Sequence, residues 1–407
     1  MKLHYLENRE NMRQIIVVST AFFLALFLPH WFLSGMDSYT TKLRVNNEWI
    51  DDGYYLGLIC AALAVLSFQL AMIRARIDRS TLKQHIIALE RNGWFRALIV
   101  GLVVIMFLLL AQGIGLKQSS SPLNFIIRLL PREMALVVAT IAVIATRKPF
   151  WMVLLALNVL YWVLVGSKAA LFLVALAAVF MHIFEGHRFR PIYILYGILL
   201  AILLPLSFVM ISGLRLGIAP IEVLGMLLDN SQSREVFFNR ILTRVSWFDG
   251  MLLTPNDAYP LFHYNAFNFL SDALIRLVPG AGGEGLPFGQ QIIYLFRAKD
   301  LDEFSGAIGM PGVFKVMYYN HGIFGLFSMI GLLFGYFYIV SRMTASRKPL
   351  ISMVGFSIFI VGVSGMMISG NIDSALGKSI PILFVGLTIA FVMRLLFRSA
   401  AMRPVPA

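Results

Sequence analysis

The sequence predicts an all-α polytopic membrane protein of about ten transmembrane helices, with one large outer loop. Three observations carry this. Apolar runs of about 20 residues, the length that ~30 Å of hydrocarbon requires, recur along the chain. Hydrophobic residues make up 59% of the 407 and charged residues only 14%, which is more apolar surface than a soluble domain can bury. The alternating segments of about 10 residues that mark a transmembrane β-barrel are absent.

The first run is residues 14–33 (QIIVVSTAFFLALFLPHWFL). It is long, bulky near its end and lacks a small-residue cleavage site, so it reads as an uncleaved span and not as a signal peptide. Further runs lie at 54–73, 97–115, 126–146, 150–166, 169–185, 192–212, 319–340, 350–369 and 379–397. Arg128, Pro131 and Arg132 intrude on the fourth span, whose clean apolar stretch begins only at Glu133. A tilted or partly re-entrant segment is expected there. The chain therefore divides into an N-terminal bundle of about seven spans (1–212), a long loop (213–318) and about three C-terminal spans (319–407).

Orientation follows from Lys and Arg, which favour cytoplasmic loops. Short loops on one side hold nineteen of the 34 cations, those on the other side seven, and the long loop the remaining eight. Both termini are expected in the cytoplasm and the long loop outside, where loops of that length cross regardless of charge. The same clustering accounts for the net charge of +13 without nucleic acid. Cys60, the single cysteine, falls inside a span, so no internal disulfide exists and packing is its expected role.

The long loop has helical periodicity. In 234–252, Phe237, Ile241, Val245, Phe248 and Leu252 form one stripe, with Arg240 and Arg244 along one rim and Asp249 on the other. A second amphipathic helix is expected over 263–278, with Phe267, Leu270, Leu274 and Leu277 inward, ending at Pro279-Gly280. The glycine-rich stretch GAGGEGLPFG (280–289) follows a helix and not a strand, so neither a dinucleotide fingerprint nor a P-loop fits. A flap or an irregular turn does.

Arginines on the rim of a surface helix either snorkel to headgroups or hold an anionic group. Other outward cations accompany them: Lys168 in VLVGSKAALFLVAL, Arg215 in SGLRLG, and Arg128 and Arg132 in the interrupted fourth span. Cations at membrane depth are costly unless paired or used, and several together point to one anionic site. For acid–base work the candidates are His321 in YYNHGIFGLF, then Asp249, with Glu303 and His263 also in the loop. No HExxH, Cys/His cluster or paired acidic motif suggests a metal, and no GxSxG suggests a serine nucleophile.

The topology, the turn GSKAALFLVAL (166–176), and NRILTRVSWFDG followed by YYNHGIFGLF resemble the bacterial O-antigen polymerase family (Wzy-type), which is related to the O-antigen ligases. Arg215…Gly225 and Arg240…Gly250 are each one residue shorter than the family's Arg-x10-Gly spacing.

The resemblance implies a GT-C-type glycosyltransferase of lipopolysaccharide and surface polysaccharide biosynthesis in the bacterial inner membrane. It would join undecaprenyl-pyrophosphate-linked oligosaccharide repeat units on the outer, periplasmic face. Arg240 and Arg244, helped by Arg215, Lys168 and Arg128, would grip the pyrophosphate. His321 or Asp249 would orient the attacking hydroxyl. No cofactor or metal is implied; membrane lipids and a chain-length regulator are the implied partners. An O-antigen ligase and a flippase for lipid-linked sugars are the alternatives.

Overall fold

The computed structural model describes residues 16–17, 19–20, 50–75, 81–91, 93–114, 124–165, 167, 169–184, 222, 225, 265–275, 277 and 309–401. Every regular element among them is helical: α1 (Ile50–Ala75), α2 (Thr81–Glu90), α3 (Gly93–Ala111), α4 (Asn124–Leu129), α5 (Arg132–Thr146), α6 (Pro149–Leu164), α7 (Ala169–Phe184), α8 (Ala266–Ile275), α9 (Gly309–Thr344), α10 (Pro349–Gly362), a π-helical turn (Val363–Ile368) and α11 (Ile372–Ala401). Among the described residues, five stretches are long and apolar enough to cross a membrane: Tyr55–Ala75, Gly93–Ala111, Gly309–Thr344, Pro349–Ile368 and Ile372–Ile389. α6 and α7 are apolar but shorter. The described part is that of a membrane-embedded helical protein.

Two helices form the centre. α5 is buried from Glu133 to Ala142 and packs on α2, α3, α6, α7 and α10. α10 is buried along nearly its whole length and also meets α9 and α11. Outer helices turn apolar faces away from the protein, among them Leu66 and Leu70 of α1, Leu108 of α3, Val153 of α6, and Phe324 and Phe327 of α9. In water such faces would aggregate; in a bilayer they are the lipid surface. Phe68, Phe180, Phe337 and Phe359 draw α1, α7, α9 and α10 together, with the closest ring centroids 4.7 Å apart. Cys60 is fully buried, as its place in an apolar run predicts.

Turn chemistry sets the boundaries at one end of the bundle. Thr146-Arg147-Lys148-Pro149 and Ser346-Arg347-Lys348-Pro349 are two versions of one signal. In each, an extended lysine precedes a proline at the first helical position, where its missing N–H costs nothing. The hydroxyls of Thr146 and Ser346 accept from the lysine N–H groups at 3.4 and 3.2 Å. α5 closes on Arg147 at φ 55, whose N–H reaches the Val143 carbonyl at 2.9 Å, a left-handed cap.

α2 is a helix that the apolar runs do not announce, in a segment whose cations suggest only a basic loop. It packs on α10 and α5 through the buried Leu82 and Ile86. The carboxylate of Glu90, nearly buried at its end, meets Lys148 at 2.7 Å and Arg96 at 3.2 Å. That cluster ties α2 to the starts of α3 and α6.

α9 departs most from the sequence expectation of a span at 319–340. It begins at Gly309, inside the segment assigned to the long loop, and breaks at Gly322 (φ 59, ψ −143). Residues 309–317 are all buried, Lys315 included. The two halves fold against each other so closely that a Cβ on Gly325 would overlap the Met317 carbonyl. The YYNHGIFGLF motif is therefore a helix break, with one glycine for the conformation and one for the contact.

Candidate functional site

At the opposite end of the bundle, Pro131 separates α4 from α5. Proline lacks the N–H that would continue a helix and disfavours helical geometry at the residue before it. α4 accordingly stops at Leu129 and α5 starts at Arg132. This fulfils the expectation that the fourth span has its clean beginning near Glu133. At ~1.5 Å per residue, fifteen residues give α5 about 22 Å, less than a bilayer core of about 30 Å. Its N-terminus opens on a recess.

The helices at 363–378 close the other wall. α10 runs into the π-helical turn and then through Gly370 (φ 67) into α11. The Asn371 N–H returns to the Gly365 carbonyl at 2.8 Å, and Gly365 leaves room for Ala375 at 2.6 Å from where a Cβ would stand. This sharp reversal buries Asp373 in the first turn of α11 and sets Ser374, Gly377 and Lys378 opposite α5.

α8 packs on α11 beside the recess, and Leu277, just beyond it, supplies part of the wall. Asn265 starts the helix: its side chain accepts from Phe267 N–H at 2.9 Å, while Asn268 accepts from Asn265 N–H at 2.7 Å, a reciprocal cap. The second loop helix expected over 263–278 is thus present as Ala266–Ile275, but its inward face is corrected. Phe269 and Ala273 are buried, whereas Phe267, Leu270 and Leu274 are exposed. α8 meets α11 at Gly377, whose Cβ position lies 3.5 Å from the Ala273 carbonyl oxygen, and Ala273 itself is buried there. The larger apolar side chains then face outward, where a membrane would receive them.

The resulting cleft has a volume of about 210 Å³ and is lined by Arg128, Arg132, Glu133, Ser374, Gly377 and Lys378, with Leu130 and Leu277 supplying apolar wall. Drug-sized ligands occupy about 300–1,000 Å³, so this space matches a headgroup and not an entire glycan. Three cations face one carboxylate. Lys378 Nζ stands 3.4 Å from Glu133 Oε1, the lysine half-exposed and the glutamate only 3% exposed. The Arg132 guanidinium lies 4.9 Å over the Trp162 ring, at the end of α6. Arg132 Nε and Glu133 Oε1 are buried without a hydrogen-bond partner. The N-termini of α5 and α11 both open here, adding the positive ends of two helix dipoles.

No family model, no curated protein and no solved structure matches the chain.

Of the residues proposed from sequence, Arg128 lines the cleft. His321 is half-buried on α9, one residue before the break, and is not among the lining residues. Arg215, Arg240, Arg244, Asp249 and Lys168 lie outside the described residues. Arg132, an outward cation in the sequence, also lines it, together with Glu133 and Lys378, which the sequence does not mark as site residues. Lys378 carried a signal: it is the only cation between Lys348 and Arg394. Among the described residues, no group of three or more His, Cys, Asp or Glu side chains forms a metal site.

Proposed function

We propose that this chain is a bacterial inner-membrane glycosyltransferase of the GT-C type. It has about ten spans and both termini cytoplasmic, and it polymerises undecaprenyl-pyrophosphate-linked oligosaccharide repeat units at the outer face. The observation that carries the reading is the cleft in which Arg128, Arg132 and Lys378 converge beside two helix N-termini at one end of an apolar bundle. Pyrophosphate is already a good leaving group, so the site must chiefly stabilise charge on the departing phosphate. Arginine does this by bidentate hydrogen bonding, and desolvated cations do it more strongly than solvated ones. A headgroup-sized recess suits a lipid diphosphate whose glycan projects away from the bilayer. Arg240, Arg244 and Arg215 of the long loop, with Lys168 of the turn before α7, would complete the grip.

Deletion of the gene tests the reading. Loss of a polymerase leaves a single repeat unit on the lipid acceptor, loss of a ligase leaves none, and unchanged long chains would refute both.

One observation favours a second reading, movement of a lipid-linked sugar across the membrane. Transporters use interrupted helices and buried charges. Here α9 breaks at Gly322, α4 and α5 are split at Pro131, and Lys315, Glu133 and Asp373 are buried. Purified protein in liposomes separates the two: chain lengthening supports the polymerase, and translocation without lengthening supports the transporter.

A further inference from the structure

An anion site has no use for a carboxylate in its wall, since the carboxylate repels the ligand that the cations attract. Glu133 is nevertheless 3% exposed and faces the same recess as Arg128, Arg132 and Lys378. Two structural roles bear on an acid there, and neither uses up its acceptor capacity. As a counter-ion it is long: the Lys378 pair is 3.4 Å, against about 2.7–2.9 Å for a charge-assisted hydrogen bond, and the half-exposed ammonium can be hydrated instead. As an acid in the first turn of α5 it faces the positive end of that helix dipole, yet Oε1 accepts no hydrogen bond from the α5 backbone. Oε1 thus has only the long Lys378 contact and, opening on a cleft, keeps acceptor capacity for a ligand O–H.

We infer that Glu133 is the hydrogen-bond acceptor and base for the attacking sugar hydroxyl, a role resting on the polymerase reading and expected from sequence for His321 or Asp249. The cleft then takes a ligand pair that no simple phosphate site would require, an anionic diphosphate on the cations and an O–H donor on Oε1. In the transfer, the acceptor oxygen forms a bond to the anomeric carbon while the bond from that carbon to phosphate oxygen breaks. The electron pair leaves on the lipid diphosphate, beside Arg128, Arg132 and Lys378. The hydroxyl proton passes to the Glu133 carboxylate, and from there to water at the open mouth beside Lys378. No further reactant is needed.

The test uses full-length protein in liposomes, with two assays run side by side. One measures binding of undecaprenyl diphosphate, which carries no sugar hydroxyl; the other measures extension of a lipid-linked repeat unit. Glu133→Gln is expected to bind the diphosphate at least as well as wild type, because a repelling charge is gone. Its extension is expected to fall by about 10²–10⁴-fold, the usual contribution of a positioned base. Extension at the wild-type rate would overturn the role and leave the polymerase reading standing. Loss of binding together with extension would also overturn it, by making Glu133 a builder of the cleft. Wild-type protein that extends nothing would overturn the polymerase reading itself, and the role with it. Should Glu133→Gln fail to reach the membrane, Glu133→Asp decides. It keeps the charge but withdraws the oxygens, so extension is expected to fall by about 10²-fold, as for other misplacements near 1 Å, and an unchanged rate would overturn the role.

Discussion

The Arg132 guanidinium rests 4.9 Å over the ring of Trp162, joining the first residue of α5 to the end of α6. Its Nε makes no hydrogen bond, and the indole face is the contact that can hold the guanidinium without neutralising it. Such contacts contribute about 0.5–2 kcal/mol. Trp162→Leu keeps much of the apolar packing and removes the ring. Affinity for undecaprenyl diphosphate is expected to fall about three- to tenfold, measured on purified protein, with Arg132→Ala weaker still. Equal affinity in Trp162→Leu would mean that Arg132 is aimed by something else.

Lys378→Ala removes the ion-pair partner of a buried carboxylate. Breaking a buried pair costs about 3–5 kcal/mol, and the half-exposed lysine calls for a lower figure here, about 1–2 kcal/mol. Thermal unfolding in detergent should show the loss, and Lys378→Ala combined with Glu133→Gln should recover most of it. A double variant no more stable than the single one would assign the loss to packing.

Gly322 and Gly325 act in different ways, and alanine scanning should separate them. Gly322 has open space around a Cβ but sits at φ 59, ψ −143, a region that side chains avoid at about 1–3 kcal/mol. Gly325 is ordinary helix, yet its Cβ would strike the Met317 carbonyl. Both alanine variants should lower the melting temperature, Gly325→Ala more. Gly331→Ala, in the same helix with nothing within 4 Å, should be neutral or slightly stabilising. A destabilising Gly331→Ala would remove the basis of the comparison.

Glu90 is shared by two half-exposed cations, Arg96 and Lys148. Removing one leaves the other in place. Arg96→Ala and Lys148→Ala singly should each cost well under 1 kcal/mol, in the range of partly solvated ion pairs. Together they should cost more than their sum, because only the double variant strands the buried carboxylate. Strict additivity in thermal unfolding would show that each pair acts independently.

Burial lowers the pKa of His85 on α2 below 6.5, and its Nδ1 is buried without a hydrogen-bond partner. The unfolded segment therefore binds a proton more readily than the docked one. The contribution of neutral His85 is fully present above about pH 6.5 and is lost as pH falls through that value toward the lower docked pKa. Amide hydrogen exchange over residues 81–90, corrected for its intrinsic pH dependence, should quicken from pH 7.5 to 5.5 in wild type, and less so in His85→Phe. A wild-type segment equally protected at both pH values would remove His85 from that role.

How far the sequence could be read depended on the range of the interactions involved. Apolar runs announce helices because, in lipid, backbone groups must be satisfied within each segment; α1, α3, α6, α7 and α10 fall close to where the runs lie. Pro131 and Glu133 likewise marked the start of α5, since proline acts on its immediate neighbours. The face of α8 was not legible. An apolar stripe signals burial in water, but beside a membrane Phe267 and Leu274 can face outward while Ala273 fits against Gly377.

By itself, the sequence determined a helical membrane protein with cations gathered where helices end, because hydrophobicity and helix-breaking are local properties of the chain. Only the tertiary structure decided which charges meet. Lys378 and Glu133 lie 245 positions apart, and nothing in their spacing pairs them; the reversal through Gly370 and the short α5 bring them to one cleft. Helix pitch relates residues three or four apart, whereas contact between distant helices is set by packing over the whole core.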